Sequence, residues 1–503
     1  MTTLGVVGAG TMGAGIAQLG AAAGMRTLLH DPVPEALERG AESARGGLAK
    51  WAQKGRVGED ASELLEPVSA LDALAPCDLV IEAAPERAEL KRDLFAALSM
   101  VCGDDVVLAT NTSSIPVTSL AGAAARPENV VGMHFFNPPP LMPLLEVIRA
   151  EQSADRVVQM AADVGGEMGK DVIVVADGPG FLVNRCARPF SAEGLRLLQE
   201  RVATHEQIDR ICRLGGGFRM GPFELMDLVG IDVGFEVAKS FTELSFGEPR
   251  WRPSPIQARM VAAGRLGRKS GRGYYDYEGA GPSRDPDPPA RGGGEGTAVT
   301  VLGDGPVADG LRERARSAAF ELREGGPTEL VVDAGARPHL SPPGGAPLLV
   351  LCAATSLAAR REQAAVGFHM LPPLDDVKLV ELTRLPTTQP FAAEAAEDFF
   401  SKLGLLGEWV EDAPGLVLGR IVCQLVNEAA FAIGEGVGSA DDVDAGLTLG
   451  LSHPRGPVAW SEAIGLDHVL AVLDALWQER REERYRTAPL LQRAATLGRS
   501  LRD

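Results

Sequence analysis

Apolar and polar residues alternate in blocks over the first part of the chain, and the blocks read in turn as strands and helices. Apolar runs at Leu4–Val7, Thr27–Leu29, Asp78–Ala83, Val106–Thr110, Val130–His134, Leu144–Ile148 and Val172–Val175 predict strands, separated by stretches of helical spacing. This order predicts an α/β domain over residues 1–180, a mostly parallel, doubly wound Rossmann-type sheet. Between the second strand and Asp78 lies a long, charged insertion of helical character, too long for an ordinary crossover. Asp177-Gly178-Pro179-Gly180 breaks the sheet pattern. An all-α domain is then expected over 181–278, with helices near 181–200, 205–213, 221–239 and 254–264. Residues 279–297 are rich in Pro and Gly and predict a mobile linker.

After the linker the pattern begins again. Val299-Thr300-Val301-Leu302-Gly303-Asp304-Gly305 repeats the first strand and its glycines. Gly367-Phe368-His369 parallels Gly132-Met133-His134, and Val380-Glu381-Leu382 parallels Leu145-Glu146-Val147, at an offset of 235 (369 − 134). The offset persists at Gly180/Gly415, Arg185/Arg420, Asp209/Asp444, Gly221/Gly456, Pro222/Pro457 and Asp232/Asp467. A register held this far is a duplication. Residues 298–412 are therefore expected to form a second, degenerate Rossmann-like domain and 413–503 a second helical domain. In that copy Gly13 becomes Ala308, Asn137 becomes Pro372 and Asn184 becomes Gly419. The charged insertion is missing, with Asp333 read as the end of the second strand and Leu348–Leu351 following soon after. The spacing from Ser356 to His369 is shorter than that from Ser113 to His134, and the offset puts the counterpart of Lys269 beyond Asp503. Packing is the expected role of this copy; a second active site is the weaker alternative, because a Ser/His/Glu set survives.

The first strand runs directly into Gly8-Ala9-Gly10-Thr11-Met12-Gly13. Gly8 permits the turn, Gly10 lets a pyrophosphate approach the backbone, and Gly13 brings the next helix close to the sheet. The free N–H groups of that helix, from Thr11 and Met12 onward, then face the phosphates. Asp31 closes the second strand, where a carboxylate accepts the adenosine ribose hydroxyls. An acid there repels a 2′-phosphate, which favours NAD over NADP.

Composition narrows the class. The chain has 503 residues, 45% apolar and 23% charged, with a formal charge of −19. That charge argues against nucleic acid or an anionic membrane surface as partner. Arg45, Lys50, Lys54 and Arg56 form a local basic patch, either a solvated helix face or an anion site. The N-terminus lacks a signal-peptide pattern and no apolar run reaches bilayer length. Cys77, Cys102, Cys186, Cys212, Cys352 and Cys423 are scattered, as expected of reduced thiols in a cytoplasmic protein, and no metal site is expected.

Three clusters carry candidate chemistry. Asn111-Thr112-Ser113-Ser114 and His134-Phe135-Phe136-Asn137-Pro138 lie at strand C-terminal ends, where open α/β sheets bind ligands, and Glu146 lies on the neighbouring strand. A carboxylate holding one imidazole nitrogen leaves the other free to take a proton, which alcohol oxidation beside a nicotinamide requires. Ser113 and Asn184 are candidate hydrogen-bond donors to the substrate oxygen. For Asn184, a hydrogen bond at the start of its helix is the equal alternative.

These motifs, with Pro179-Gly180-Phe181, Met220-Gly221-Pro222-Phe223-Glu224-Leu225 and Gly267-Arg268-Lys269-Ser270-Gly271, resemble those of the L-3-hydroxyacyl-CoA dehydrogenase family, in its order. The resemblance is close over 1–277 and decayed over 298–503. It implies a general base at His134 partnered by Glu146, substrate contacts from Ser113 and Asn184, and NAD contacts from Asp31, Glu86, Lys91, Asn137 and Lys269. It also implies that the insertion, with Lys54, holds CoA, although Gly47 stands where the family has a serine contact. Arg252-Pro253-Ser254-Pro255 and Glu483-Arg484-Tyr485-Arg486 resemble the duplicated members from phenylacetate breakdown. The implied reaction is oxidation of (S)-3-hydroxyacyl-CoA, with the adipyl and butyryl thioesters as candidates. A non-catalytic, crystallin-like NAD(H)-binding protein and a dehydrogenase of free 3-hydroxy acids are the alternatives. One-copy members dimerise through the helical domain, so 413–503 is expected to imitate that partner inside the chain; a homodimer of the whole chain is the further option.

Overall fold

The computed structural model describes residues 2–277, 279, 281–282, 284, 286–289, 296–324, 327–337, 346–360 and 365–503. Residues 280, 283, 285 and 290–295 of the expected 279–297 linker lie outside the described residues. Its described Arg284 and Asp287 are ion-paired to Glu224 and, at 2.8 Å, to Arg213. Chain contacts define two compact units, Met1–Arg185 with Gly436–Leu451, and Cys186–Glu435 with Ser452–Asp503.

The first unit follows the alternating pattern: β1 (Thr3–Val7), α1 (Thr11–Ala22), β2 (Arg26–His30), α2 (Pro34–Gln53), β3 (Leu65–Val68), β4 (Leu79–Glu82), α3 (Ala88–Val101), β5 (Val107–Thr110), α4 (Val117–Ala121), β6 (Val130–Phe135), β7 (Leu144–Arg149), α5 (Asp155–Glu167) and β8 (Asp171–Ala176). The sheet order is β3-β2-β1-β4-β5-β6-β7-β8, parallel except for the antiparallel pair β6/β7. Strand order reverses direction between β1 and β4, and the crevice at that switch point is where such sheets take ligands. The charged insertion is helical only in part. After α2 it makes a 3-10 turn and adds β3 as an edge strand, paired with β2 from Thr27↔Leu65 to His30↔Val68. An edge tolerates the proline and the acid of Leu65-Glu66-Pro67-Val68, which hide it from a hydrophobic pattern.

The second unit begins with most of α6 (Val183–Gln199), then α7 (His205–Gly216), α8 (Pro222–Val229), α9 (Ile231–Leu244) and α10 (Pro255–Ala262). The single helix expected over 221–239 is two, because Gly230 at φ +105° turns the chain between them. A second sheet follows: β9 (Ala298–Leu302), α11 (Pro306–Ser317), β10 (Glu321–Leu322), β11 (Leu330–Asp333), β12 (Leu348–Leu351), β13 (Val366–His369), β14 (Leu379–Thr383), α12 (Pro390–Lys402) and β15 (Leu406–Trp409). Its order, β10-β9-β11-β12-β13-β14-β15, is that of the first sheet without β3. Asp333 therefore ends the equivalent of β4, not of β2, and corresponds to Glu82 rather than Asp31. The sequence reading erred because β10, the true second strand, has shrunk to two residues. The chain continues with α13 (Leu418–Gly434), α14 (Ala440–Leu451), α15 (Pro457–Ile464), α16 (Leu466–Arg480) and α17 (Pro489–Leu497).

Each sheet is covered by a helix from the other copy. In the first unit α14 packs on β7 and β8, and in the second α7, its counterpart at offset 235, packs on β14. Gly446 and Gly450, one turn apart, permit the first contact. A Cβ on Gly450 would stand 2.8 Å from Leu144, and one on Gly446 2.8 Å from Val183. Matching main-chain hydrogen bonds recur, Ala176 N–H to Val437 O and Glu411 N–H to Val202 O, both 2.8 Å. The exchange leaves β14 buried throughout and β7 buried except at Arg149.

Candidate active site

The chain leaves β1 at Gly8 (φ +98°), whose N–H donates to His30 O at 2.8 Å. A Cβ on Gly8 would lie 2.6 Å from Ala83 O, and one on Gly13 would lie 1.7 Å from Gly8 O. Among the described residues no atom beyond its chain neighbours lies within 4 Å of a Cβ built on Gly10, and no side chain caps the α1 N-terminus. Gly10 and Thr11 are exposed and Met12 half-buried. Asp31 accepts from Ala9 N–H at 2.8 Å and Val33 N–H at 2.9 Å, tying the end of β2 to the glycine turn. A carboxylate offers about four lone-pair sites, so acceptor capacity remains for a ribose diol. An open glycine turn, free helix amides and a fixed acid fit the pyrophosphate and ribose of NAD. Gly13→Ala is expected to weaken NADH binding about tenfold or more, measured by fluorescence titration, because the turn must shift. An unchanged Kd would show that the phosphates do not sit there.

Glu82, at the end of β4, was missed by the sequence reading, although an acid in an otherwise apolar strand was the same signal that marked Glu146. It accepts from Lys91 Nζ at 2.8 and 3.0 Å and from the Thr110 hydroxyl at 2.6 Å. Lys91 is buried and also meets Glu86 at 3.1 Å. Glu86 gathers the next loop, accepting from the Thr112 hydroxyl at 2.6 Å, Ser113 N–H at 3.0 Å and the Ser114 hydroxyl at 3.0 Å. Burial raises the Glu86 pKa, but the Lys91 charge and these hydrogen bonds outweigh it and hold the carboxyl below its usual range. Ser113 is left exposed at the loop tip.

His134 and Glu146 face each other across the antiparallel β6/β7 pair. Nδ1 lies 2.7 Å from Glu146 Oε2, and Glu146 is fully buried. Its other oxygen accepts from Leu182 N–H at 3.2 Å and Val183 N–H at 2.9 Å, at the start of α6. Phe136 and Phe181 flank the imidazole, with ring centroids 4.6 and 5.9 Å away. Asn184 follows Val183 directly, half-buried. Asn137 is exposed just beyond β6. Lys54, at the α2 C-cap, is exposed like Lys50 and Arg56. A Cβ on Gly47 would strike the Gln18 amide at 2.1 Å, so Gln18 fills the space of the expected serine. Lys269 belongs to the second unit, where it pairs with Asp232 at 2.6 Å.

The second copy keeps the register but not the His–Glu contact. His369 opposes Glu381 across β13/β14, yet its Nε2 lies 3.1 Å from His468 Nε2, and its buried Nδ1 has no partner among the described residues. Among the described residues Glu381 accepts only from Val417 and Leu418 N–H, at 2.6 and 3.0 Å, and burial raises its pKa to about 8. A Cβ on Gly419 would stand 2.1 Å from the His369 ring, so the imidazole occupies the space of a residue equivalent to Asn184. Burial also lowers the His369 pKa.

Residues 3–178 match the NAD binding domain of 3-hydroxyacyl-CoA dehydrogenase, and residues 180–277 and 415–502 each match its C-terminal domain. The chain belongs to the 3-hydroxyacyl-CoA dehydrogenase family. A family relative named 3-hydroxyadipyl-CoA dehydrogenase, from Escherichia coli K12, is 35% identical over 503 residues, 98% of each chain. One named 3-hydroxybutyryl-CoA dehydrogenase, from Bradyrhizobium diazoefficiens, is 41% identical over 283 residues, 56% of this chain and 96% of its own. The crystal structure of 3-hydroxybutyryl-CoA dehydrogenase from Escherichia coli K12 superposes with a TM-score of 0.82 at 34% identity, covering 99% of this chain and 98% of that one. Family membership makes the chain an NAD-dependent oxidoreductase of 3-hydroxyacyl-CoA. No helix among the described residues is long and apolar enough to cross a membrane.

Proposed function

We propose that this enzyme oxidises C3 of (S)-3-hydroxyacyl-CoA with His134 as general base, and that the adipyl thioester is its substrate in preference to the butyryl. The buried His134–Glu146 pair carries the reading. Glu146 Oε1 is engaged by two amides, and an ionised carboxylate only accepts, so Nδ1 carries its hydrogen toward Oε2. Nε2 is then unprotonated and takes the hydroxyl proton. NAD, when bound, supplies the acceptor for the C3 hydride, giving the 3-oxoacyl thioester, NADH and one proton. The exposed Ser113 hydroxyl and the Asn184 carboxamide donate to the C3 oxygen as it becomes a carbonyl.

Asp31, Glu86 and Asn137 are assigned to NAD, with Lys91 acting through Glu86 because its ammonium is spent on Glu82 and Glu86. Lys269 is assigned to NAD, and Lys54 to CoA, by family resemblance. The full-length match to a relative named for the adipyl thioester supports that substrate. The six buried free thiols support a cytoplasmic setting. Packing of α13 on α7 within the second unit supports an internal pseudo-dimer.

The test is NADH formation with (S)-3-hydroxybutyryl-CoA and (S)-3-hydroxyadipyl-CoA side by side. A higher kcat/KM for the adipyl thioester is expected. A butyryl preference would overturn the substrate assignment, and NADH binding without turnover of either would overturn the catalytic one.

A further inference from the structure

Arg188 lacks a counter-ion where its neighbours have one. Arg196, Arg210, Arg213, Arg250 and Arg420 of the same unit each meet a carboxylate. Arg188, half-buried on α6, has only Gly234 O, 3.3 Å from Nη2, and the Phe241 ring, 5.2 Å from Cζ. No ion pair to it occurs among the described residues. Desolvation pulls its pKa down to about 10, the mark of a cation without a compensating charge. A guanidinium held this way is destabilising until an anion meets it.

Its place on α6 suggests which anion. Arg188 is four residues beyond Asn184, so helix geometry alone puts the two side chains on one face, about 6 Å apart along the axis. The duplication supplies a control. In the second copy, where the His–Glu pair is broken and Asn184 is replaced by Gly419, the position of Arg188 is taken by Cys423, fully buried. The neighbouring Arg185, by contrast, persists as Arg420. The cation is kept only in the copy whose catalytic pair is intact.

We propose that Arg188 binds the terminal carboxylate of a 3-hydroxy dicarboxylic acid thioester, and so sets the enzyme's preference for ω-carboxylated over plain acyl chains. The assignment rests on the hydroxyacyl-CoA reading and on Asn184 meeting the C3 oxygen. In a 3-hydroxyadipyl chain three carbon–carbon bonds separate C3 from the carboxyl carbon, a span that one helical turn and an arginine's reach accommodate. Arg188 is a binding residue in this scheme and takes no part in hydride or proton transfer.

The experiment compares (S)-3-hydroxyadipyl-CoA with (S)-3-hydroxyhexanoyl-CoA, equal in chain length but ending in methyl, on the full-length enzyme and on Arg188→Met and Arg188→Lys. Losing one partner of a desolvated charge pair lowers kcat/KM for the adipyl thioester roughly 30- to 1000-fold in Arg188→Met, mainly through KM. The hexanoyl thioester should change less than about threefold, and Arg188→Lys should recover part of the loss. Equal losses on both thioesters would assign Arg188 to structure and overturn the proposal, as would an unchanged adipyl preference. Failure of the unmutated enzyme to turn over either thioester would instead overturn the catalytic reading beneath it.

Discussion

His134→Ala is expected to lower kcat about a hundred- to ten-thousand-fold, the usual worth of a positioned general base. NADH affinity should hold, because the glycine turn and Asp31 belong to the other side of the sheet order, at β1 and β2. Glu146→Gln separates proton chemistry from packing. Leu182 and Val183 N–H require an acceptor, so the amide must turn its oxygen toward them and its NH2 toward Nδ1. That arrangement favours the tautomer with hydrogen on Nε2, which takes no proton, and a loss of similar order follows while the fold is retained. His369→Ala provides the comparison. Its imidazole is turned onto His468 and, among the described residues, its Glu381 engages only main-chain amides, so turnover should stay within about twofold of the parent, too small to be a lost base. A His134→Ala enzyme retaining its rate, or a His369→Ala enzyme losing it, would transfer the chemistry to the second copy.

How far the sequence anticipated this follows from what each signal depends on. His134 and Glu146 were legible because both lie on apolar strands read correctly as neighbours, and antiparallel register then brings them face to face. The Lys91 cluster was only half legible. Lys91 and Glu86 came from family resemblance, but that Lys91 is buried against Glu82 depends on where α3 crosses β4, which no spacing reveals. That the second copy departs from the first was visible as Asn184 becoming Gly419, while the structural consequence was not. The void beside Gly419 lets His369 turn toward His468, a residue 99 positions away. The helix exchange was hidden for a similar reason. Amphipathic spacing shows that α7 and α14 each cover something apolar, but both sheets present equivalent faces. Only the assembled fold selects the sheet of the other copy.

Arg420→Met is expected to destabilise the second unit by about 3–5 kcal/mol, the cost of leaving a buried charge partner uncompensated. Arg420 is fully buried on α13, with Nε 2.8 Å from Glu193 and Nη1 2.8 Å from Glu200, at the C-terminal part of α6 and just past it. Nη2 donates to Tyr485 Oη at 2.6 Å, and Arg480 adds a second cation to Glu200 at 3.1 Å. Burial works against the Arg420 charge, but Tyr485, Glu193 and Glu200 hold its pKa above the ordinary arginine value. Urea unfolding should show the loss as a lower midpoint for the unit, and Glu193→Gln in the Arg420→Met background should restore part of it by removing the stranded carboxylate. A shift under about 1 kcal/mol would mean that the cluster is solvated and holds nothing. A loss of that size would give a copy whose His–Glu contact is broken a physical reason to keep its helices. The helix gripped by Arg420 is α6, whose first residues give Glu146 its amides and carry Asn184. Turnover per folded molecule should therefore fall with loosening of α6 before the unit unfolds, so that a series of increasing urea concentrations lowers kcat of Arg420→Met at concentrations where its circular dichroism is still native.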